Sequence, residues 1–293
     1  MFKTKRINDY VLELDAGDVG DSGWTHKTLA MFDQHFDNDK FRKDLMEGGL
    51  KKAQDEGRPI FFGGDFFDVM QTRHDPRRAR GGNGSEKAKY LNYICEEAVE
   101  FLTPYASNIF AWFMGNHETV VLKNSDFDIV RAIIEGLKYK TGHQIEQMNY
   151  SGYLIYKFRS KSSNRGKRKI WVHHGYGGNA PATKGVLSVG RRAAAYPCAD
   201  ILVTGHTHEC WAMPHAQEML SNKGIVQKRV QWHVQIPSMK DETKNKKGIG
   251  WGIEKGFNPQ VNGFAWLKFE RVPKKNEVLV VATQPELELE YVR

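Results

Sequence analysis

Five short apolar runs in this chain each break off into residue types that ligate metals. TLAMF, 28 to 32, runs into Asp33-Gln34-His35, and PIFFG, 59 to 63, into Gly64-Asp65-Phe66-Phe67-Asp68. IFAWFM, 109 to 114, runs into Gly115-Asn116-His117-Glu118; KIWV, 169 to 172, into His173-His174-Gly175; ILVT, 201 to 204, into Gly205-His206-Thr207-His208. Any one of these tips also reads as a polar turn. Core packing gives no reason for the pattern to occur five times, and carboxylate, imidazole and amide groups together are donors for divalent cations. The three cysteines, Cys95, Cys198 and Cys210, are widely spaced with no Cys-x-x-Cys, which implies neither a disulfide framework nor a thiolate zinc site.

These tips need elements to hold them. An apolar run of five or six residues reads as a strand buried on both faces, and the polar tips then lie at carboxyl ends, where open α/β sheets bind ligands. Helical spacing separates the runs: Phe41, Leu45, Gly49, Leu50 and Ala53 in one segment, and Tyr90, Leu91, Ile94, Cys95, Ala98, Val99 and Leu102 within 86 to 102. A further helix is expected to open at Ser125, with Asp128 three residues on as a capping pattern. Segments 152 to 158 and 169 to 174 read as a hairpin joined by the polar SKSSNRGKRK, and the tail supplies strands near 229 to 236, 263 to 269 and 277 to 283. With no internal repeat and no long linker, the expectation is one domain over 1 to 293.

A composition of 40% apolar and 12% aromatic residues supports a buried core and excludes a disordered chain. No stretch approaches the length of a membrane span, and the start MFKTKRINDY lacks an apolar segment, so a soluble, cytoplasmic protein with no membrane partner is expected. A net charge of +8 and a pI near 9.2 favour a polyanionic partner.

In order and in strand context, DQH, GDFFD, GNHE, HHG and GHTH resemble the calcineurin-like metallophosphoesterases, whose pattern is D-x-H, G-D-x-x-D, G-N-H-[DE], H and G-H-x-H. Through DQHFDN, GDFFDVMQTRHDPRR, GNHETVVLK and the HHGYGG and TKG segments, the chain looks more narrowly like phage-encoded members, which would place it in host cytoplasm. The resemblance implies an α/β fold, a four-layer α/β/β/α sandwich of two mixed sheets flanked by helices, with strands 229 to 283 completing the second sheet. It also implies two divalent metals, with Mn first and Fe, Zn or Ni as alternatives. Carried over, Asp33, His35, Asp65 and His208 hold one metal, and Asp65, Asn116, His174 and His206 the other, with Asp65 bridging. His174 is preferred over His173 because it precedes Gly175. The run from Val11 to Gly20 offers Asp18 as a competing first carboxylate, but Gly20 stands where the family has histidine.

Two close cations lower the pKa of a bound water and polarise phosphoryl oxygens, so the implied reaction is hydrolysis of a phosphodiester by metal-activated hydroxide. The resemblance makes His117 the group facing the leaving oxygen and Asp68 the carboxylate that orients it. Arg73, Arg77 and Arg78, with Arg80, follow the second motif and are candidate phosphate contacts, because guanidinium forks match phosphate oxygens. DNA or RNA is the expected substrate. Two other readings compete: a phosphomonoesterase acting on phosphoprotein or nucleotide, since GNHE is also a phosphatase form, and a nucleic-acid-binding protein with a vestigial site.

Overall fold

The computed structural model describes residues 2–19, 23–69, 90–159, 165–178, 183–242, 259–272 and 280–289. Two mixed β-sheets lie face to face, flanked by helices. One sheet takes its parallel centre from β3 (Thr25–Met31), β4 (Ile60–Phe62), β5 (Ile109–Trp112) and the short β6 (Glu146–Gln147). Its far edge is antiparallel: β12 (Gly263–Val272) pairs with β3, and β13 (Val280–Leu289) with β12. The other sheet has seven strands in the order β1 (Lys3–Asn8), β2 (Val11–Asp18), β7 (Ser151–Arg159), β8 (Arg165–His173), β9 (Ile201–Thr204), β11 (Val226–Gln235) and β10 (Trp211–Leu220). The tail strands therefore divide: the segment expected at 229 to 236 joins β9 in the seven-stranded sheet, while only β12 and β13 complete the other.

Side-chain alternation decides which core each strand feeds. On β3, Ala30 points into the space between the sheets and Leu29 and Met31 point toward the helices; on β4, Phe61 faces inward and Ile60 and Phe62 outward. β7 answers from the opposite sheet with Leu154, Tyr156 and Phe158, all fully buried. The outward face is covered by α1 (Lys43–Asp55), α2 (Tyr90–Leu102) and α4 (Ile129–Thr141), through Met46, Leu50, Ile94, Ala98, Ile133 and Leu137. On the other side of the sandwich, α5 (Val189–Ala195) buries Val189 and Ala193, and Tyr196 just beyond it stacks on Trp171 of β8.

Ser125 does not open a helix. It ends α3 (Asn116–Ser125), which Asp126 terminates in the left-handed region at φ 52°, and α4 starts after Asp128, whose carboxylate accepts the Arg131 N–H. Asp128 caps because an N-cap oxygen must reach the third helical N–H, and from Ser125 that register is not available.

His26 on β3 sets an acid limit on the fold. It is 8% exposed among Trp24, Tyr156, Phe158 and Phe269, its Nε2 has no hydrogen-bond partner, and burial together with the nearby Arg58 charge lowers its pKa to about 4. Between the ordinary value near 6.5 and about 4 the unfolded chain binds a proton that the folded chain refuses, so stability falls as pH drops through that window. The loss is on the order of 3 kcal/mol. His26→Phe is expected to retain much more stability at pH 4.5 than the parent, relative to each protein at pH 7, in urea unfolding of metal-free protein. Parallel pH profiles for the two proteins would refute this.

Candidate metal centre

All five apolar runs are strands, and all five tips leave their carboxyl ends toward a common pocket. Asp33 and His35 follow β3, Asp65 follows β4, Asn116 and His117 open α3 after β5, His174 follows β8, and His206 and His208 follow β9. The backbone there is held in an unusual state. Asp33, His35, Asp65, His206 and His208 all have φ between 50° and 72°, in the left-handed region that side chains other than glycine rarely occupy. Such strain persists where surrounding contacts over-determine it and gathers at functional sites. At Asp33 the contacts are visible: its carbonyl accepts from Met239 N at 3.0 Å and Ser238 Oγ at 2.8 Å, while its Oδ2 accepts from His206 N at 2.7 Å. The glycines of the motifs permit close approach. A Cβ on Gly115 would lie 2.1 Å from Asp65 Oδ1, and one on Gly205 would lie 2.4 Å from Asp33 Oδ2.

Asp33, His35 and His208 form one group of donors, with ligand atoms within 4.8 Å of one another; Asp65, His174 and His206 form a second, and His35, Asp68 and His117 a third. Asn116 joins the second group, its Oδ1 standing 2.8 Å from His206 Nδ1 and 3.1 Å from His174 Nε2. His174 Nε2 lies 3.1 Å from Asp65 Oδ2 and 3.8 Å from Asp33 Oδ1, so the first two groups adjoin. His173 turns to the opposite face of the sheet and stacks on Trp171. Asp18 is remote: it is exposed at the end of β2 and pairs with Arg159.

Carbonyl partners fix the ring tautomers, because a carbonyl only accepts. His174 Nδ1 faces Gly63 O at 3.1 Å, His206 Nε2 faces Gly177 O at 3.1 Å, and His117 Nδ1 faces Asp68 O at 2.5 Å. The hydrogens therefore sit on those nitrogens, and each ring turns its other nitrogen to the pocket, the arrangement a ligating histidine needs.

Charge points the same way. Burial raises the Asp33 carboxyl to about 7, with Asp65 adding to the rise. Burial alone would depress His174, but Asp65 and Asp33 outweigh it and hold the ring near 9. His35 and His208 are pushed down by burial, His208 far down with His35 contributing. Asp33 Oδ1 is buried with no hydrogen-bond partner. Packed acids, an orphaned carboxylate oxygen and imidazole nitrogens turned inward are the features a divalent cation satisfies. The donor set is nitrogen and oxygen only, which fits Mn, Fe, Zn or Ni.

Asp68 stands beside both His35 and His117. Its carboxylate takes His35 Nδ1 at 2.8 Å, Asn38 Nδ2 at 2.6 Å and Lys240 Nζ at 3.3 Å, while His117 meets only the Asp68 main-chain carbonyl. Two groups were not singled out from sequence. Glu118, fully buried, accepts from the N–H groups of Gly115, Asp65 and Phe67 and so ties α3 to the loop after β4. Asp37 accepts from the N–H groups of Asp68 and Val69 and from the Tyr90 hydroxyl, which fastens the other end of that loop. Glu118 carries a weak signal as the acidic last letter of GNHE; Asp37 carries none beyond its place two residues after His35. Arg73, Arg77, Arg78 and Arg80 lie outside the described residues.

No protein-family model and no curated protein matches the chain. Among solved structures it is similar to a conserved uncharacterized protein of Streptococcus pneumoniae described as a predicted phosphoesterase, at 13% identity over 90% of this chain and 100% of that one, TM-score 0.31. It is also similar to Vps29 of Chaetomium thermophilum, at 9% identity over 91% and 98%, TM-score 0.38. A third is zinc-complexed Vps29 of Entamoeba histolytica, at 12% identity over 89% and 98%, TM-score 0.35. Likenesses this loose decide nothing about activity. Among the described residues no helix is long and apolar enough to cross a membrane.

Proposed function

We propose that the chain is a dinuclear metal-dependent phosphoesterase that hydrolyses phosphodiester bonds, with DNA or RNA as substrate. The observation that carries this reading is the convergence of seven N and O donors from five strand ends, five of them on left-handed backbone, around the buried Asp33 and Asp65. Asp33, His35 and His208 would hold one cation, Asn116, His174 and His206 the other, and Asp65 both. Two such cations supply Lewis acidity and an activated water. Mn is the first candidate.

The remaining work falls to the chain's own groups. His117 Nε2, 3.7 Å from Asp65 Oδ2, faces the pocket with its lone pair or proton free while Asp68 O anchors Nδ1. It is the candidate to protonate the leaving oxygen. Asp68, through His35 Nδ1, orients a ligand and acts as a positioning residue. The test is turnover with Mn²⁺ of bis-p-nitrophenyl phosphate, p-nitrophenyl phosphate, and single- and double-stranded DNA. Preference for the diester and for DNA is expected; a preference for the monoester would move the assignment to a phosphomonoesterase, and no turnover of any of them would leave a vestigial site.

The basic balance of the chain and the run from Arg73 to Arg80 support nucleic acid over a neutral metabolite. Arg77→Ala/Arg78→Ala is expected to weaken DNA binding and to lower the log–log salt slope by roughly 0.7–0.9 for each phosphate that is no longer neutralised. Unchanged affinity and slope would remove this support.

A further inference from the structure

Among the described arginines, Arg6, Arg42, Arg58, Arg131, Arg159 and Arg229 each meet a carboxylate. Arg192 on α5, like Arg168 and Arg191, does not. It is half-buried, its Nε is sealed from solvent without a hydrogen-bond partner, and no carboxylate of the described residues lies within ion-pair distance. Its Nη1 donates to Thr204 Oγ1 at 3.1 Å, its guanidinium carbon lies 5.7 Å from the centre of the Tyr176 ring, and the Tyr176 hydroxyl is a further neutral partner. Its positive charge is felt nearby: burial, His215 and Arg192 together hold His233 near 4. A guanidinium taken partly out of water without a counter-ion is costly, and it is retained where a ligand supplies the anion.

Its place relative to the metal centre indicates which anion. Thr204 ends β9, directly before Gly205 and His206, and Tyr176 stands two residues after His174. Between them Gly177 O accepts from His206 Nε2, and the neighbouring Tyr176, whose ring also meets that of His173, stands against the Arg192 guanidinium, so one short turn links the His206 end of the metal centre to Arg192. Tyr176 is 63% exposed and offers a ring to solvent beside that guanidinium. We propose that Arg192 and Tyr176 form a recognition site for the nucleotide next to the scissile phosphate of a single strand, Arg192 taking its phosphate and Tyr176 stacking its base. This rests on the nucleic-acid reading above and adds residues that none of the five motifs contains. A planar guanidinium matches two phosphate oxygens, and aromatic stacking is tolerant of base identity.

The test is binding of fluorescein-labelled, phosphorothioate-linked dT10 to the Mn²⁺-loaded protein by anisotropy across a salt series, beside turnover of bis-p-nitrophenyl phosphate. Arg192→Gln is expected to weaken binding about tenfold or more and to lower the salt slope by roughly 0.7, the value for one single-strand phosphate. Tyr176→Ala should weaken binding by about five- to a hundredfold with the slope unchanged, and Tyr176→Phe should restore it. Arg131→Gln, an exposed arginine on α4, is the charge-matched control and should bind as the parent does. Wild-type affinity and slope in Arg192→Gln would overturn the proposal, as would parent protein that turns over the chromogenic diester but does not bind dT10. Should Arg192→Gln fail to fold by circular dichroism, the exposed Tyr176 variants decide: unchanged affinity in Tyr176→Ala overturns it. Binding that depends on Arg192 without any diester turnover would instead overturn the phosphoesterase reading and leave this site standing.

Discussion

Asp65→Asn is expected to abolish metal loading and turnover together and to leave the metal-free fold less stable than the parent's. The Asp65 carboxylate is 2% exposed, receives the His117 N–H of the first turn of α3 at 2.9 Å, and stands 3.1 Å from His174 Nε2. An amide keeps one acceptor for the His117 N–H but has only one oxygen and no charge, so it cannot serve two cations. Turnover should fall by about 10³-fold or more, the scale of losing charge stabilisation in a buried site. The stability half of the prediction follows from electrostatics. Burial works against the Asp65 charge, but His174, His117 and His35 hold its carboxyl well below the usual range, and it in turn is the main support of the His174 charge, so neutralising it costs the metal-free fold more than the relieved repulsion with Asp33 and Glu118 returns. In the parent, Mn²⁺ at a hundred times its dissociation constant should stabilise by about 2.7 kcal/mol, and that gain should vanish in the variant. Elemental analysis and thermal melts with and without Mn²⁺ check both halves. A variant that keeps its metals, or that is turnover-competent after chelation and dialysis, would refute the shared-ligand role.

The five strand ends were legible because each strand is buried on both faces. Residues such as Phe61 and Phe62, feeding opposite cores, leave an unbroken apolar run, and the first donor after it is conspicuous. Elements at the margins lacked that contrast. β10 is an edge strand, WAMPHAQEML, with Pro214 in it and one solvent-facing side, so its composition reads as loop. α3 opens with polar Asn116, His117 and Glu118, and its start is set by a back-bond from Glu118 to Gly115 N that no apolar periodicity announces. The contacts of the Asp68 side chain were hidden for another reason. Sequence spacing places a carboxylate near a histidine but does not choose between two histidines, and the choice here depends on Lys240, which arrives from the loop after β11 and draws the carboxylate toward His35. Lys240 Nζ is shared between Asp68 and Glu242 at 3.3 and 3.1 Å, a contact made across most of the chain's length.

The same geometry sharpens the expectation for His117. Because its Nδ1–H is held by the Asp68 main-chain carbonyl, substituting the Asp68 side chain should leave the His117 ring in place, and the two residues should separate kinetically. His117→Ala is expected to keep full metal content, since the ring belongs to neither group built on Asp33 and Asp65, and to lose about 10²–10⁴-fold in kcat, the usual scale for a positioned proton donor. The loss should shrink along a series of diesters with increasingly acidic leaving groups, because a good leaving group needs no proton. Asp68→Asn should behave differently. Its carboxylate faces His35 Nδ1 at 2.8 Å, so the variant should lower metal affinity by about 10–100-fold, the scale of an outer-shell partner of a ligand, and recover kcat at high Mn²⁺. A His117→Ala protein that loses metal, or an Asp68→Asn protein whose kcat deficit persists at saturating Mn²⁺ and shows the same leaving-group dependence as His117→Ala, would return Asp68 to the role of orienting His117. The two variants thus test whether the main-chain carbonyl at 2.5 Å or the side chain governs the proton donor.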